Sequence, residues 1–205
     1  MDKIISNKTL SSMLLDPSLL KGKAFIAGEW VSSTNNETFE VRNPATLEII
    51  SNVPDLGLEE TRQAINAAYV SQKTWSSKTG KERASILKEF YNLMMTNADD
   101  LAKIITAEMG KPLSEAVGEI SYGASFIEFF AEEAKRIYGE TIPGHQADKK
   151  ILVIKQPIGV VTSITPWNFP NAMITRKLGP ALAAGCSFVA KPAEETPLSA
   201  LAIAV

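Results

Sequence analysis

The spacing of hydrophobic residues predicts a run of helices in the middle of the chain. Apolar side chains recur there every three or four positions with charged residues between them, which is typical of helices that bury one face. The segments with this spacing are 58–75, 80–96 and 113–138. A further helix is expected from Asn97, a preferred N-cap residue, to Met109, because Gly110 then interrupts the pattern.

Short strands are predicted on both sides of these helices. Segments 23–26 and 38–41 are rich in strand-forming residues and flank the turn-rich segment 32–36, so we expect them to pair as a hairpin. Segment 139–149 contains glycine and proline breaks and is predicted to be a linker. Residues 151–154 are apolar and β-branched, which predicts a strand that ends before Pro157.

The last part of the chain alternates between strand and helix patterns. Residues 158–164 and 187–190 are apolar enough to be buried strands, and residues 171–184 between them have helical spacing. Pro197 opens a second helix. Because strand–helix–strand crossovers are right-handed, the two strands should be parallel neighbours in one sheet. The fold class is therefore α/β.

Composition and charge favour a protein that acts on a small molecule. Of 205 residues, 45% are hydrophobic and 21% are charged, as in ordinary soluble domains. A net charge of −2 gives no basic field for nucleic acid or for anionic lipid. Residues 1–20 have no continuous apolar core of the signal-peptide type, and no stretch has the length of a membrane span. With a single cysteine, we expect a cytoplasmic protein.

A specific set of motifs lies where the predicted strands end, which is where open α/β sheets bind ligands. The motifs at the strand ends are Thr165-Pro166-Trp167-Asn168-Phe169-Pro170, Met173-Ile174-Thr175-Arg176-Lys177 and Lys191-Pro192-Ala193-Glu194. Together with residues 42–46 and 108–112, these motifs resemble the aldehyde dehydrogenase superfamily, and within it the succinate-semialdehyde dehydrogenases. The resemblance implies oxidation of an aldehyde to the acid through a cysteine thioester, on a Rossmann-like sheet that holds the dinucleotide without the usual glycine loop.

The resemblance also divides the chain into three parts. Residues 1–140 would be an N-terminal arm and the helices of the cofactor domain. Residues 141–157 would be a linker and a bridging strand at which subunits of a homo-oligomer meet. Residues 158–205 would begin the sheet that binds NAD.

Asn168 is the predicted catalytic residue. An amide donor just before a helix, held by Pro170, suits an acyl-transfer site, because an oxyanion that develops on the substrate must meet a preorganised N–H group. In the family this asparagine is the side-chain half of the oxyanion hole. The alternative is a structural helix cap.

The resemblance assigns the cofactor to both strand ends. The predicted contacts are Ile164, Thr165, Pro166, Trp167, Asn168, Lys191, Pro192, Ala193 and Glu194. Lys191 and Glu194 would bind ribose hydroxyls, and the alternative is a surface ion pair. Since the Glu194 carboxylate would repel a 2′-phosphate, NAD is expected over NADP, although NADP stays possible.

The remaining candidates concern the substrate and the nucleophile. Arg176 is predicted to bind the acid end of the substrate, with a structural ion pair as the alternative. Cys186 is predicted to be a small buried residue, and His145 a loop residue without metal-binding neighbours.

The resemblance places the reactive cysteine and the activating glutamate beyond Val205. We therefore expect the N-terminal part of an enzyme, inactive alone; the alternatives are a dehydrogenase for another aldehyde and a non-catalytic nucleotide-binding or assembly subunit.

Overall fold

Four long helices form the helical layer of the fold. The computed structural model describes residues 9–205, so that residues 1–8 of the N-terminal segment considered above lie outside it. The helices are α2 (Leu58–Ser76), α3 (Gly80–Thr96), α4 (Ala98–Met109) and α5 (Leu113–Glu133), and the short helix α1 (Leu10–Met13) precedes them with a 3-10 turn at Pro17–Leu19. The predicted positions of the four long helices are confirmed, except at the two ends described next.

Two helix ends differ from the predictions. Helix α5 ends at Glu133 rather than near residue 138. Just after this end the chain passes close to α3, since a Cβ added to Gly80 would lie 2.4 Å from the backbone carbonyl oxygen of Ala134. Asn97 does precede α4, but its side chain donates to the carbonyl of Leu93 at 2.9 Å. It therefore satisfies the end of α3 and does not cap α4.

The N-terminal strands form two hairpins, so the single hairpin predicted there is wrong. Strand β1 (Ala24–Ile26) pairs with β2 (Glu29–Val31), and β3 (Thr38–Arg42) pairs with β4 (Ile49–Pro54), all antiparallel. The first turn is made by Ala27 and Gly28, both at positive φ, as tight hairpin turns require. Alanine is an unusual residue for such a turn, which is why the turn was not predicted.

A third hairpin occupies part of the predicted linker. Strand β5 (Glu140–Pro143) pairs antiparallel with β6 (Lys150–Val153), and every residue in both strands is exposed. The predicted strand at 151–154 is thus present one residue earlier, and its partner was missed because Gly139 and Pro143 obscured the pattern.

None of the helices within residues 9–205 combines the length and the apolar character needed to cross a bilayer.

The end of the chain forms the predicted parallel unit. Strand β7 (Val160–Ile164), helix α6 (Ala172–Ala183), strand β8 (Ser187–Lys191) and helix α7 (Pro197–Ala202) follow one another. The strands are parallel, in register from Val160 opposite Ser187 to Ile164 opposite Lys191. The α/β class is confirmed.

Helix α6 packs closely on α5. A Cβ at Gly123 of α5 would lie 2.6 Å from Asn171 Oδ1 and 3.0 Å from Thr175 Oγ1, so only glycine permits this approach. Next to the contact, α3, α4 and α5 contribute fully buried side chains to one core, namely Leu87, Ile104, Ile105, Ile120 and Ile127. This packing sets the start of α6 beside the middle of α5.

Candidate active site at the ends of the parallel strands

The strand ends bring together the two motifs predicted to bind the cofactor. Ile164 lies opposite Lys191, and the Thr165 N–H donates to the Lys191 carbonyl at 3.2 Å. Pro166 and Trp167 continue from β7 as an exposed segment, while Pro192 and Ala193 continue from β8 half-buried. The two motifs thus share one edge of the sheet.

Lys191 and Glu194 are exposed at this edge. Neither forms an ion pair with any residue between 9 and 205, so the alternative of a surface Lys–Glu pair finds no support in this structure. Both charged groups are free to meet a polar ligand.

Asn168 presents its side chain to solvent, as an oxyanion donor must. Its carboxamide makes no hydrogen bond within the described part of the chain, and the residue that precedes α6 is Asn171. The capping alternative is therefore not observed. Pro170 lies two residues before α6, which begins at Ala172, one residue later than predicted.

A buried ion pair, missed in the sequence, holds the segment around Asn168. Lys111, in the turn between α4 and α5, places Nζ 2.5 Å from Glu119 Oε2, 3.0 Å from the Asn168 carbonyl oxygen and 4.1 Å from the centre of the Phe169 ring. Lys111 is 8% exposed and Glu119 is 2% exposed. The signal in the sequence was a carboxylate at position 119, in register with the apolar stripe of α5.

The same glutamate caps helix α6. Glu119 Oε1 accepts from the backbone N–H groups of Asn171 at 2.9 Å and Ala172 at 3.2 Å. These first N–H groups have no partner within a helix, and the positive end of the helix dipole favours a carboxylate there.

A second buried glutamate caps helix α7 in the same way. Glu108 of α4 accepts from the N–H groups of Leu198 and Ser199, each at 2.7 Å, and from the Ser199 hydroxyl. Burial raises the pKa of Glu108 to about 8, because desolvation of its charge outweighs these hydrogen bonds.

The two caps bear on how a dinucleotide could bind. In glycine-loop folds the cofactor's diphosphate lies on free N–H groups at a helix N-terminus. The corresponding groups of α6 and α7 already donate to the side-chain oxygens of Glu119 and Glu108. The residues therefore fit the sugar of a dinucleotide, through Lys191 and Glu194, but do not fit its diphosphate at these helix ends.

Arg176 lies on α6 and is held by aromatic side chains of α5. Its guanidinium donates to the Tyr122 hydroxyl at 2.5 Å and lies 5.1 Å from the centre of the Phe126 ring. Phe126 also lines a shallow groove with Phe129. Arg176 has no carboxylate partner among residues 9–205, so the structural ion pair considered as its alternative is not observed.

The remaining candidates are positioned as the sequence suggested. Cys186 is a free thiol, 3% exposed, which confirms its predicted burial. His145 is exposed in the loop of the third hairpin. Over the described range, no group of three or more histidine, cysteine, aspartate or glutamate side chains is arranged to hold a metal ion.

The parallel strands place their motifs at one shared edge of the sheet. This arrangement is typical of the class of α/β proteins that bind ligands at strand ends. A profile of the aldehyde dehydrogenase family matches residues 30–205. The chain belongs to the aldehyde dehydrogenase family, and the resemblance predicted from its motifs is confirmed.

The chain is similar to dehydrogenases named for acid-bearing aldehydes. It is 61% identical over 191 residues to the NADP(+) succinate-semialdehyde dehydrogenase of Escherichia coli (strain K12). It is 60% identical over 191 residues to the glutarate-semialdehyde dehydrogenase of Pseudomonas aeruginosa, and each alignment covers 93% of this chain and 40% of the relative. The solved succinate-semialdehyde dehydrogenase of Burkholderia pseudomallei superposes with a TM-score of 0.92 at 57% identity, over 93% of this chain and 40% of that one. The chain thus spans about 40% of the length of these relatives.

The raised pKa of Glu108 gives a pH-dependent prediction. Between its ordinary value of 4.5 and about 8, the folded chain keeps this proton while the unfolded chain loses it. The contribution of Glu108 to the free energy of unfolding therefore falls as pH rises through that window and is constant above it. Glu108→Gln lacks this titration, so its free energy of unfolding relative to wild type should rise by an amount on the order of 4 kcal/mol between about pH 5 and about pH 8.5.

Urea unfolding of both proteins at the two pH values measures this change. Glu115→Gln, at an exposed carboxylate in the first turn of α5, is the control and should show no such change. A stability difference between Glu108→Gln and wild type that is the same at both pH values would contradict the assignment.

Proposed function

We propose that these 205 residues form the oxyanion-binding and ribose-binding part of a dehydrogenase that oxidises an acid-bearing aldehyde, foremost succinate semialdehyde, to the acid. The observation that carries this proposal is the free, exposed carboxamide of Asn168 beside the strand edge that ends at Lys191. Family membership supports the reaction class.

Asn168 acts on the charge that develops during the reaction. Attack of a nucleophile on the aldehyde carbon turns the carbonyl oxygen into an oxyanion, and Asn168 Nδ2 donates a hydrogen bond to it. Removing one such donor from an oxyanion hole costs roughly a hundred- to a thousandfold in rate. A bound nicotinamide dinucleotide supplies the hydride acceptor.

The nucleophile is supplied from outside these residues in this proposal. Cys186, the single cysteine of the sequence, is buried in the fold and lies away from the exposed strand edge.

The competing candidate is a non-catalytic assembly subunit. The fully exposed hairpin β5–β6, with Leu152 at 70% exposure, favours pairing with another copy of the chain and supports a homo-oligomer.

Turnover and assembly of the purified chain test the external nucleophile and the pairing of the hairpin. We expect the purified chain to form no NADH from succinate semialdehyde, because it lacks an accessible thiol. We expect it to self-associate in size-exclusion chromatography, and Leu152→Glu to reduce that association. NADH formation by the chain alone would contradict an external nucleophile, and a monomer at high concentration would contradict assembly through the hairpin.

The cofactor is proposed to be NAD, with NADP as the alternative. A carboxylate at Glu194 accepts hydrogen bonds from ribose hydroxyls and repels a 2′-phosphate. Glu195, also exposed, adds negative charge near the same edge. The E. coli relative is named for NADP(+), which is why NADP is the alternative.

Calorimetric titration with NAD and with NADP tests this choice. Wild type should bind NAD more tightly than NADP. Glu194→Ser should lower the ratio of the NADP Kd to the NAD Kd by roughly threefold to tenfold, because the repulsion between the carboxylate and the 2′-phosphate is removed. Glu195→Ser is the matched control, since it removes the same charge from the adjacent position. Equal changes in the two variants would show a general charge effect and would contradict a ribose contact at Glu194.

Arg176 is proposed to bind the acid end of the substrate. The guanidinium is fixed by Tyr122 and Phe126, exposed, and without a carboxylate partner in the described chain. A rigid fork of donors suits a carboxylate. The substrates in the names of the two relatives share an acid end and differ in length by one methylene, and Arg176 alone does not determine that length.

Titration with succinate, an unreactive acid, tests this subsite by NMR. Because the site is open to water, we expect weak binding, with a Kd on the order of millimolar, and shifts at the ring signals of Tyr122 and Phe126. Arg176→Met should abolish these shifts, whereas Lys177→Met, at the neighbouring position, should retain them. Shifts that persist in Arg176→Met would place the acid elsewhere.

A further inference from the structure

Lys111 and Glu119 lie beneath the exposed segment that carries Asn168. We propose, on the basis of the oxyanion role proposed above for Asn168, that these two side chains are positioning residues that aim its carboxamide. They do not touch the reacting atoms themselves. They act through the backbone on both sides of Phe169 and Pro170.

The contacts fix that segment at two points. On one side, the Lys111 ammonium donates to the Asn168 carbonyl oxygen at 3.0 Å. On the other side, Glu119 Oε1 accepts from the N–H groups of Asn171 and Ala172. Pro170 between them has a restricted φ. With the backbone held at both ends, the direction of the Asn168 amide depends mainly on its own side-chain torsions.

One buried pair joins the two points. Lys111 Nζ and Glu119 Oε2 are 2.5 Å apart. The ammonium that binds the Asn168 carbonyl and the carboxylate that caps α6 therefore cannot move independently. The Phe169 ring covers the ammonium, with its centre 4.1 Å from Nζ. Gly123, one turn beyond Glu119 on α5, gives α6 the close approach that brings its first N–H groups within reach.

Stability alone is a weak reason for such a pair. Removing two charges from water is costly, and apolar residues of similar size often replace a buried ion pair without loss of stability. Within the described residues, the Lys111 ammonium donates two hydrogen bonds, one to Glu119 and one to the Asn168 carbonyl. The pair is therefore placed to fix geometry at this segment.

The double variant Lys111→Met/Glu119→Gln tests the proposal. It removes both charges while the side-chain carbonyl of the introduced glutamine keeps an acceptor for the α6 amides, so the fold should persist. We expect the side-chain amide signals of Asn168 and the indole signal of Trp167 to broaden or split in ¹⁵N NMR spectra. If this segment also lines the cofactor, the Kd for NAD should rise roughly threefold to tenfold, as the cost of ordering a released side chain.

The matched control is Lys88→Met/Glu128→Gln, the same exchange at an exposed Lys–Glu pair 2.7 Å apart between α3 and α5. It should leave the Asn168 and Trp167 signals unchanged. Unchanged signals in a folded Lys111→Met/Glu119→Gln protein would overturn the proposal. Should that variant not fold, Glu119→Gln alone replaces it, with the same expected broadening and the same contrary result.

Failure of the proposed function would look different. A wild-type chain that binds no NAD would contradict the cofactor role of this edge. The NMR signals of Asn168 and Trp167 would still decide whether Lys111 and Glu119 position the segment.

Discussion

The start of helix α6 depends on one carboxylate that belongs to another helix. Asn171 is fully buried, so its N–H and that of Ala172 would be without partners if Glu119 did not accept from both. A buried donor without a partner costs about 1–3 kcal/mol. Through Lys111 the same carboxylate is linked to the Asn168 carbonyl. The helical layer thereby fixes both the first crossover helix of the parallel sheet and the exposed segment before it.

This arrangement suits the proposed binding of a dinucleotide without a glycine loop. Glu119 and Glu108 fill the N-termini of the two helices that follow the strands, so negative phosphate groups find no free donors there. The polar side chains that the strand ends leave exposed include Asn168, Lys191 and Glu194. An edge with an amide donor, an ammonium and a carboxylate suits a polar sugar and a developing oxyanion.

The elements with strong local patterns could be predicted from the sequence, and those set by distant contacts could not. The four long helices and the parallel strands have clear periodicity, and their order implies the crossover. The turn at Ala27 and Gly28 has weak local signals, so the prediction of a single hairpin near the N-terminus was wrong. Asn97 had capping chemistry but bonds to the preceding helix. The Lys111–Glu119–Asn171 contacts join residues far apart in sequence, and only the packing of α5 on α6 brings them together.

Native-state hydrogen exchange at the first amides of α6 tests the central claim most directly. If Glu119 caps this helix from within the core, the N–H groups of Asn171 and Ala172 should exchange only with the free energy of global unfolding. They should exchange far more slowly than the amide of Phe169, which donates no hydrogen bond within the described residues. Exchange of Asn171 and Ala172 as fast as that of Phe169 would contradict the account, because the carboxylate would then not be holding the start of the helix.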